Sequence, residues 1–464
     1  MIKKLIKFDL KPTQILVLGF LLLTILGAFL LNLPIASRPG PDGIRHSIGF
    51  IDALFTATSA VCVTGLVVVN TMMHWSLFGK VVIIILIQIG GLGFMTLATT
   101  FFMLMGRKIG LKERLVIQEA LNQSAISGMV RLVRYILLGT LIIEGTGALF
   151  LTIAFMKDHP FLEAMGLGIF HSISAFCNAG FDIISMSSLS PFVHNWGVNL
   201  TVIGLIVLGG LGFTVWIDLI KTSKEKIDKK FDIRHWFLRL SLHTKLVLVL
   251  TSSLLLIGFV LFFLLEMNNP ETMGNFSFTE KILASLFQSV TPRTAGFNTI
   301  PLDKMTDGSK FLTILFMFVG GSPAGTAGGV KTVTIGVLIF AVISVIRSKD
   351  DTEIFDKRIP EDIVKRALAV IMISLTVVIM VTITLTITEE FTFMDTFFEA
   401  VSGFATVGLT LGVTSELSFI GKLVMCVTMF IGRLGPMTMA VAFAIRNSRK
   451  KIKIRKPEEK VMVG

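Results

Sequence analysis

Four glycines recur along the chain at nearly equal spacing, each near the end of a short apolar stretch. They are Gly65, Gly180, Gly296 and Gly408, separated by 115, 116 and 112 residues. The stretches read SAVCVTGL, SAFCNAGF, TPRTAGF and SGFATVGL, and each is too short to cross a membrane. Because glycine reaches backbone conformations closed to other residues, carbonyls beside it can turn toward one centre and replace the water shell of a cation.

Each candidate loop consists of one of these glycines and the two residues before it. The twelve predicted ion-binding residues are Val63, Thr64, Gly65, Asn178, Ala179, Gly180, Thr294, Ala295, Gly296, Thr406, Val407 and Gly408. Non-helical backbone at membrane depth is tolerated only where it is buried in protein or lines a water-filled cavity. Four such loops in one chain therefore predict a ring around an axis.

The composition places these loops in a membrane protein. Of the 464 residues, 53% are hydrophobic and only 16% are charged, which is typical of integral membrane proteins. Three cysteines exclude a disulfide framework, and seven scattered histidines show no metal-ligand spacing. One tyrosine against 39 phenylalanines argues against a surface that stacks nucleic-acid bases.

Long apolar runs flank each short stretch and predict eight membrane helices. The predicted fold is an all-α membrane protein of four tandem span, pore-helix, loop and span repeats with pseudo-fourfold symmetry around one pore. The expected boundaries are residues 1–14 for the N-terminal tail, 15–105, 134–220, 245–346 and 367–445 for repeats 1 to 4, and 446–464 for the C-terminal tail. Asp52, Glu280 and Asp395 lie where the short helices should begin, since acids are favoured at helix starts.

The basic residues predict the orientation of the chain. Of 43 Lys and Arg residues, 32 lie in the two tails and in the segments that face the same side. Positively charged segments stay in the cytoplasm, so both termini are predicted to be cytoplasmic. The opposite face carries more acids than bases and is expected to gather cations.

Two further features predict irregularity within the helices. The run GGSPAGTAGGVKT, residues 320–332, contains five glycines and a proline that no continuous helix would keep. It predicts a break in the second span of repeat 3. The alternative to a functional role for this break is a passive kink that allows close helix packing. Arg433 is a cation inside an apolar run and marks a functional position, with a helix-end arginine that reaches back to the cytoplasm as the alternative.

The four units with one filter glycine each resemble the Trk/Ktr/HKT superfamily of potassium transporters, and within it the membrane subunit of the bacterial Ktr system. The resemblance covers about Thr13 to Ala444. It implies potassium uptake through a single-chain pore in the bacterial plasma membrane, with potassium at the filter residues and no enzymatic activity. Some relatives that favour sodium carry serine at the first filter position, whereas this chain has Gly65, so the resemblance points to potassium.

The resemblance also implies a gate beneath the filter. The broken segment becomes an intramembrane loop that obstructs the pore, and Arg433 becomes an electrostatic barrier or latch. The implied gating residues are Gly320, Gly321, Ser322, Pro323, Ala324, Gly325, Thr326, Ala327, Gly328, Gly329, Lys331 and Arg433. Lys331 ends this loop and is expected near the water-filled inner vestibule.

The implied partners are a second copy of the chain, the lipid bilayer and a cytosolic nucleotide-binding ring of the KtrA or KtrC type. No covalent cofactor is expected, and ATP or ADP would bind the partner ring alone. The basic segments 221–245, 347–366 and 447–460 offer the ring a docking face, with attraction to anionic lipid as the alternative. Sodium is left open as an activator or a coupled ion.

Two other classes of function compete with a channel-like pore. A secondary transporter for sodium or ammonium would have broken helices and a midplane site, although such folds commonly show two inverted halves rather than four repeats in one orientation. A membrane scaffold that transports nothing would leave the four glycine loops unexplained.

Three weaker signals keep their alternatives. Cys62 and Cys177 each precede a filter glycine by three residues, which small-residue packing explains. Asp182 is either a cation attractor at the outer mouth or a solvated turn residue. Glu144 lies within a span and is expected to pair with an unidentified group inside the bundle.

Overall fold

The computed structural model describes residues 11–93, 95–96, 99, 103, 105, 110–120, 129–229 and 232–443. Within them, one order of elements occurs four times: a long leading helix, a short helix, a glycine loop and a trailing helix. The tail residues 1–10 and 444–464, and with them the basic segment 447–460, lie outside the described residues.

The four leading helices are long enough to span a bilayer. They are Pro12–Leu31, Met129–Phe155, Leu242–Glu266 and Glu361–Thr388, with mean hydropathies of 1.9 to 2.7. Side chains on their outer faces remain exposed, for example Leu22 at 60%, Leu141 at 69% and Leu256 at 64%. Apolar surface of this extent matches a lipid environment rather than water, so the chain is an all-α membrane protein in its spanning part.

The four short helices are largely buried in their C-terminal halves, while the phenylalanine that begins each of them is exposed. They are Phe50–Cys62, Phe161–Phe176, Phe278–Val290 and Phe393–Ala405. Asp52, Glu280 and Asp395 each lie in a first helical turn, as predicted. Ser277 and Thr392 accept backbone hydrogen bonds as N-caps of the third and fourth short helices, which fixes where these helices start.

The sequence predicts a break in the third trailing helix only, and the structure contains others. They begin as Leu77–Leu92, Trp196–Leu211, Asp307–Phe318 and Phe419–Leu434. The second resumes as Phe213–Lys229 after a bend of 96°, and the fourth resumes as Pro436–Phe443. Among the described residues, only the four leading helices are long enough to span alone, because the trailing helices are bent or broken.

Glycine causes three of these interruptions. Gly93, Gly212 and Gly435 follow the last helical leucine and have φ of +84°, +91° and +87°. A residue in this region cannot continue a right-handed helix, and glycine adopts it without the steric cost that other residues meet. The third trailing helix is interrupted by residues 319–331 and resumes as Thr332–Ile346, so the predicted break there is confirmed.

The segment that follows the third repeat contains an unpredicted β-hairpin. Strands Thr352–Ile354 and Lys357–Ile359 pair antiparallel around Phe355 and Asp356, whose φ values of +47° and +58° suit a tight hairpin turn. Ile354 is buried against the apolar side chains of Leu246 and Val337. The other α-helices of the described residues are Thr71–His74, Leu111–Ala120 and Ile233–Arg239, and the 3₁₀ helices there are Pro34–Ala36, Ser190–Phe192, Leu302–Lys304 and Thr414–Glu416.

Candidate functional site

The four glycine loops share one backbone conformation. Gly65, Gly180, Gly296 and Gly408 have φ of +94°, +68°, +77° and +88°. Two residues before each glycine, Val63, Asn178, Thr294 and Thr406 also have positive φ, between +53° and +67°. Three of these four residues are β-branched, for which such a conformation is a genuine outlier. The same costly geometry at four matched positions indicates a shared function.

The loops approach one another in sequence order. A methyl carbon placed on Gly65 would lie 2.5 Å from the carbonyl oxygen of Ala179, and one on Gly180 would lie 2.7 Å from the Cα of Gly296. A methyl on Gly296 would lie 2.8 Å from the oxygen of Val407. A methyl on Gly408 would collide with the oxygen of Thr64. Each loop therefore meets the next, and the fourth meets the first.

The loop carbonyls have no hydrogen-bond partner in the described part of the chain. None of the twelve predicted ion-binding residues has a main-chain oxygen that accepts a hydrogen bond from a described residue. Eleven of the twelve residues are buried, and Gly296 is partly buried. Buried main-chain carbonyls are nearly always paired, so an unpaired set that converges from four directions suits a dehydrated cation.

The short helices hold the loops in place. The backbone N–H groups of Thr64, Ala179 and Val407 donate to carbonyls of Ser59, Ser174 and Ser402, at 2.7 to 2.8 Å. Side chains add to this in three repeats. The Ser59 hydroxyl accepts from the Gly65 N–H at 3.0 Å, the Ser174 hydroxyl donates to the Phe181 carbonyl at 2.7 Å, and the Thr291 hydroxyl donates to the Phe297 carbonyl.

The interrupted segment of the third trailing helix lies against two of these loops. The Thr326 hydroxyl contacts the amide oxygen of Asn178 at 3.2 Å and donates to the carbonyl of Phe176 at 3.0 Å. A methyl on Gly328 would collide with the Thr406 hydroxyl. Residues 320–332 therefore contact the loops of repeats 2 and 4. We call this segment the intramembrane loop.

The bend in the second trailing helix receives the intramembrane loop. The N–H groups of Ser322 and Thr326 donate to the carbonyls of Gly210 and Gly209, at 2.9 and 3.2 Å. In return, the Phe213 N–H donates to the Ala324 carbonyl at 2.8 Å. Because the helix ends at Gly212, its last carbonyls are free to accept these bonds.

Arg433 joins three repeats. It lies at the end of the fourth trailing helix, and its guanidinium donates to the carbonyl of Thr326 in the intramembrane loop. It also donates to the carbonyls of Gly90 and Gly91 at the end of the first trailing helix. This placement contradicts the alternative of a side chain that reaches back to the cytoplasm. Planar guanidinium donors suit such convergent carbonyls.

Lys331 contacts the intramembrane loop itself. Its ammonium folds back over the intramembrane loop and donates to the Ala327 carbonyl at 2.7 Å. Lys331 therefore caps the loop from within.

The weaker sequence signals have structural partners. Glu144 is buried and accepts from the amide of Gln88 at 3.1 Å, with the Cys177 thiol 3.8 Å away. Asp182 lies in the loop after Gly180, where burial raises the pKa of its carboxyl to about 7 against hydrogen bonds from Ser188 and Ser185.

Sequence reasoning missed the three helix-ending glycines that accompany this site. Gly93 and Gly212 end identical strings, GGLG, and Gly435 ends the related string GRLG. The repeated leucine–glycine pair was the signal. It marks the points where trailing helices stop and free carbonyls become available to Arg433 and to the intramembrane loop.

The fold and these convergent loops define a membrane-embedded cation transporter. The chain belongs to the TrkH family of cation transport proteins, whose sequence model matches residues 13–454. This confirms the resemblance to the Trk/Ktr/HKT superfamily and the expectation of a transporter rather than an enzyme. It also removes the interpretation of the chain as a scaffold.

Relatives cover essentially the whole chain. It is 43% identical to Ktr system potassium uptake protein B of Bacillus subtilis, over 98% of this chain and 97% of the relative. It is 38% identical to potassium/sodium uptake protein NtpJ of Enterococcus hirae, over 100% and 99%. The crystal structure of the potassium transporter TrkH from Vibrio parahaemolyticus shares the fold, with a TM-score of 0.72, 19% identity, and coverage of 95% and 86%.

Proposed function

We propose that this chain conducts potassium into the cell through one pore, with the four glycine loops as its selectivity filter. The unpartnered carbonyls of four matched left-handed loops carry this proposal. Such a set of dipoles can replace the hydration shell of a cation without a negatively charged ligand. The relatives from Bacillus subtilis and Enterococcus hirae are named for uptake of potassium and of potassium or sodium, which supports the same ion class.

The side chains around the filter differ between repeats, and this limits the expected selectivity. Val63, Asn178, Thr294 and Thr406 begin the four loops. Because the loops are not four identical strands, we expect fewer equivalent ion sites than a symmetric channel filter provides. Discrimination between potassium and sodium then depends on how rigidly each loop is held.

The intramembrane loop is the proposed gate and Arg433 its latch. The loop lies against the filter residues Asn178 and Thr406, and Arg433 joins it to the first repeat. A cation that leaves the filter toward the cytoplasm would meet this loop. Opening requires the loop to leave its contacts with the second trailing helix.

Regulation and assembly complete the proposal. The tails and basic segments are proposed to lie in the cytoplasm and to bind a nucleotide-binding ring of the KtrA or KtrC type, and two chains are proposed to form a dimer. The name of the Bacillus subtilis relative refers to a Ktr system, which supports a partner subunit. Sodium is proposed to take part in uptake, as an activator or a coupled ion, because one relative is named for uptake of both ions.

The test is ion flux in liposomes that contain the purified chain, with and without the cytosolic ring. Gly65→Ser places a side chain at φ +94° and 2.5 Å from the Ala179 oxygen, so it should lower the ratio of potassium to sodium flux. Gly204→Ser is the matched control, because nothing lies within 4 Å of a methyl placed there. Equal flux ratios in the native protein and both variants would overturn the proposed filter, and obligatory coupling to a second ion would favour a secondary transporter.

A further inference from the structure

Glu399 is a buried acid that belongs to neither the proposed filter nor the proposed gate. It lies in the fourth short helix, nine residues before Gly408, and is 0% exposed. No Lys or Arg of the described residues lies within ion-pair distance of its carboxylate. Burying an unpaired carboxylate is costly unless hydrogen bonds satisfy it. The groups that donate hydrogen bonds to Glu399 therefore indicate its role.

Both carboxylate oxygens bind the segment that leaves the filter. The Thr410 hydroxyl donates to one oxygen at 2.8 Å, and the Thr414 hydroxyl donates to the other. Thr410 lies two residues after Gly408. Glu399 therefore joins the helix that precedes the fourth loop to the segment that follows it. The ion-binding residues of this loop lie between these two segments in the chain. We call these contacts the Glu399 bracket.

The fourth repeat lacks the brace that the other repeats use. Ser59, Ser174 and Thr291 each join a short helix to its own loop through a side-chain hydroxyl. The matching Ser402 is buried, and its hydroxyl has no partner among the described residues. The fourth loop therefore depends on the Glu399 bracket where the others depend on a serine or threonine.

The opposite repeat carries a comparable contact at the same position. His171 lies nine residues before Gly180, and its Nε2 accepts from the N–H of Ile183 at 3.4 Å. Its Nδ1 is 2.7 Å from the Leu167 carbonyl, so the ring is fixed on both sides. Thr56 and Phe287 occupy this position in the first and third repeats, and the Thr56 hydroxyl bonds only within its own helix.

We propose that Glu399 is a positioning residue for ion selectivity, which holds the fourth filter loop through Thr410 and Thr414. This inference rests on the proposed filter. Hydrogen bonds to a carboxylate are about twice as strong as those between neutral groups, so the bracket fixes the segment beyond Gly408 more firmly than a serine would. Loosening it lets the carbonyls of Thr406 to Gly408 adapt to an ion of another size, and discrimination falls.

The test compares ion flux through Thr410→Val, Thr414→Val and Glu399→Gln in the full-length dimer. Valine keeps the shape of threonine and removes the donor. Each valine variant should lower the ratio of potassium to sodium flux by roughly tenfold or more, the factor expected when a bond to a charged group is removed. The apparent KM for potassium should rise while maximal flux is kept, which a merely destabilised protein would not show.

Two controls use matched residues. Thr384→Val removes an exposed hydroxyl that bonds only the Met380 carbonyl of its own helix, and Glu416→Gln neutralises an exposed acid beyond the bracket. Neither should alter the flux ratio. If Glu399→Gln fails to fold, the threonine variants still decide the question.

Gly408→Ser separates failure of the bracket from failure of the filter. If Gly408→Ser changes the flux ratio and both threonine variants leave it unchanged, the bracket proposal is wrong and the filter stands. If Gly408→Ser also leaves the ratio unchanged, the filter proposal is wrong, and the bracket proposal is overturned with it.

Discussion

Replacing Arg433 should raise ion flux, because it frees the intramembrane loop from the first repeat. The side chain donates to the Thr326 carbonyl in the loop and to the carbonyls of Gly90 and Gly91 in the first trailing helix. Only the bond to Thr326 must break for the loop to move away. A hydrogen bond to a charged group contributes about 1.5–3 kcal/mol.

That free energy sets the size of the effect. Each 1.4 kcal/mol is a factor of ten in an equilibrium constant, so losing the Thr326 bond should shift the closed-to-open equilibrium by roughly 10- to 140-fold. Flux should rise by that factor wherever the closed state dominates, up to the limit set by the open pore. The assay measures potassium flux into liposomes, driven by a potassium gradient, at matched protein density.

Two variants separate a latch from an electrostatic barrier. Arg433→Lys keeps the positive charge but loses the planar set of donors that reaches three carbonyls, whereas Arg433→Gln loses the charge. A latch predicts raised flux in both, and a charge barrier predicts raised flux in Arg433→Gln alone. Arg38→Ala, at an exposed position after the first leading helix, is the control. Flux of Arg433→Ala within about twofold of this control, in equally stable protein, would refute the latch.

Three other perturbations test the site from different sides. Asp182→Asn should abolish a fall in potassium uptake as the outside pH drops through about 7, where the native carboxyl gains its proton; a native uptake profile that is flat across this range would contradict it. Gly212→Ala should raise flux, because its methyl would lie 2.5 Å from the Pro323 carbonyl at φ +91°, and unchanged flux would count against loop gating. Lys422→Met should lower the free energy of unfolding by up to about 1 kcal/mol, since it breaks the 2.6 Å pair with Asp52 that joins repeats 1 and 4; thermal unfolding that shows no loss removes this role.

The leading helices, the glycine loops and the family were predictable from sequence. Apolar length determines a spanning helix, and glycine at a fixed spacing marks a backbone that needs unusual conformations. The breaks in the second and fourth trailing helices were not predictable, because hydropathy does not register the φ of a single residue such as Gly212. An apolar run continues through the bend, while the helix does not.

The contacts of charged residues could not be predicted from the sequence for a different reason. Arg433 was identified as important because an intramembrane charge is costly, but its partners lie 107 and 343 residues away in the chain. Glu144 likewise finds Gln88 across 56 residues. Such pairings depend on how the repeats pack against one another, and the sequence of a single repeat carries no information about this packing. The Val63 and Thr406 conformations were hidden as well, since β-branched residues normally avoid positive φ.

The proposed gate and the proposed filter are connected at Thr326. Its carbonyl accepts from Arg433, and its hydroxyl contacts Phe176 and Asn178 at the base of the second filter loop. The Asn178 amide in turn donates to the Arg293 carbonyl beside the third loop at 3.2 Å. The intramembrane loop therefore cannot withdraw without removing a contact that orients two filter loops. It follows that opening should loosen the filter as well as clear the path beneath it, so a Thr326→Val protein should show higher flux together with weaker discrimination against sodium. Higher flux at an unchanged ion ratio would show that gate and filter move independently.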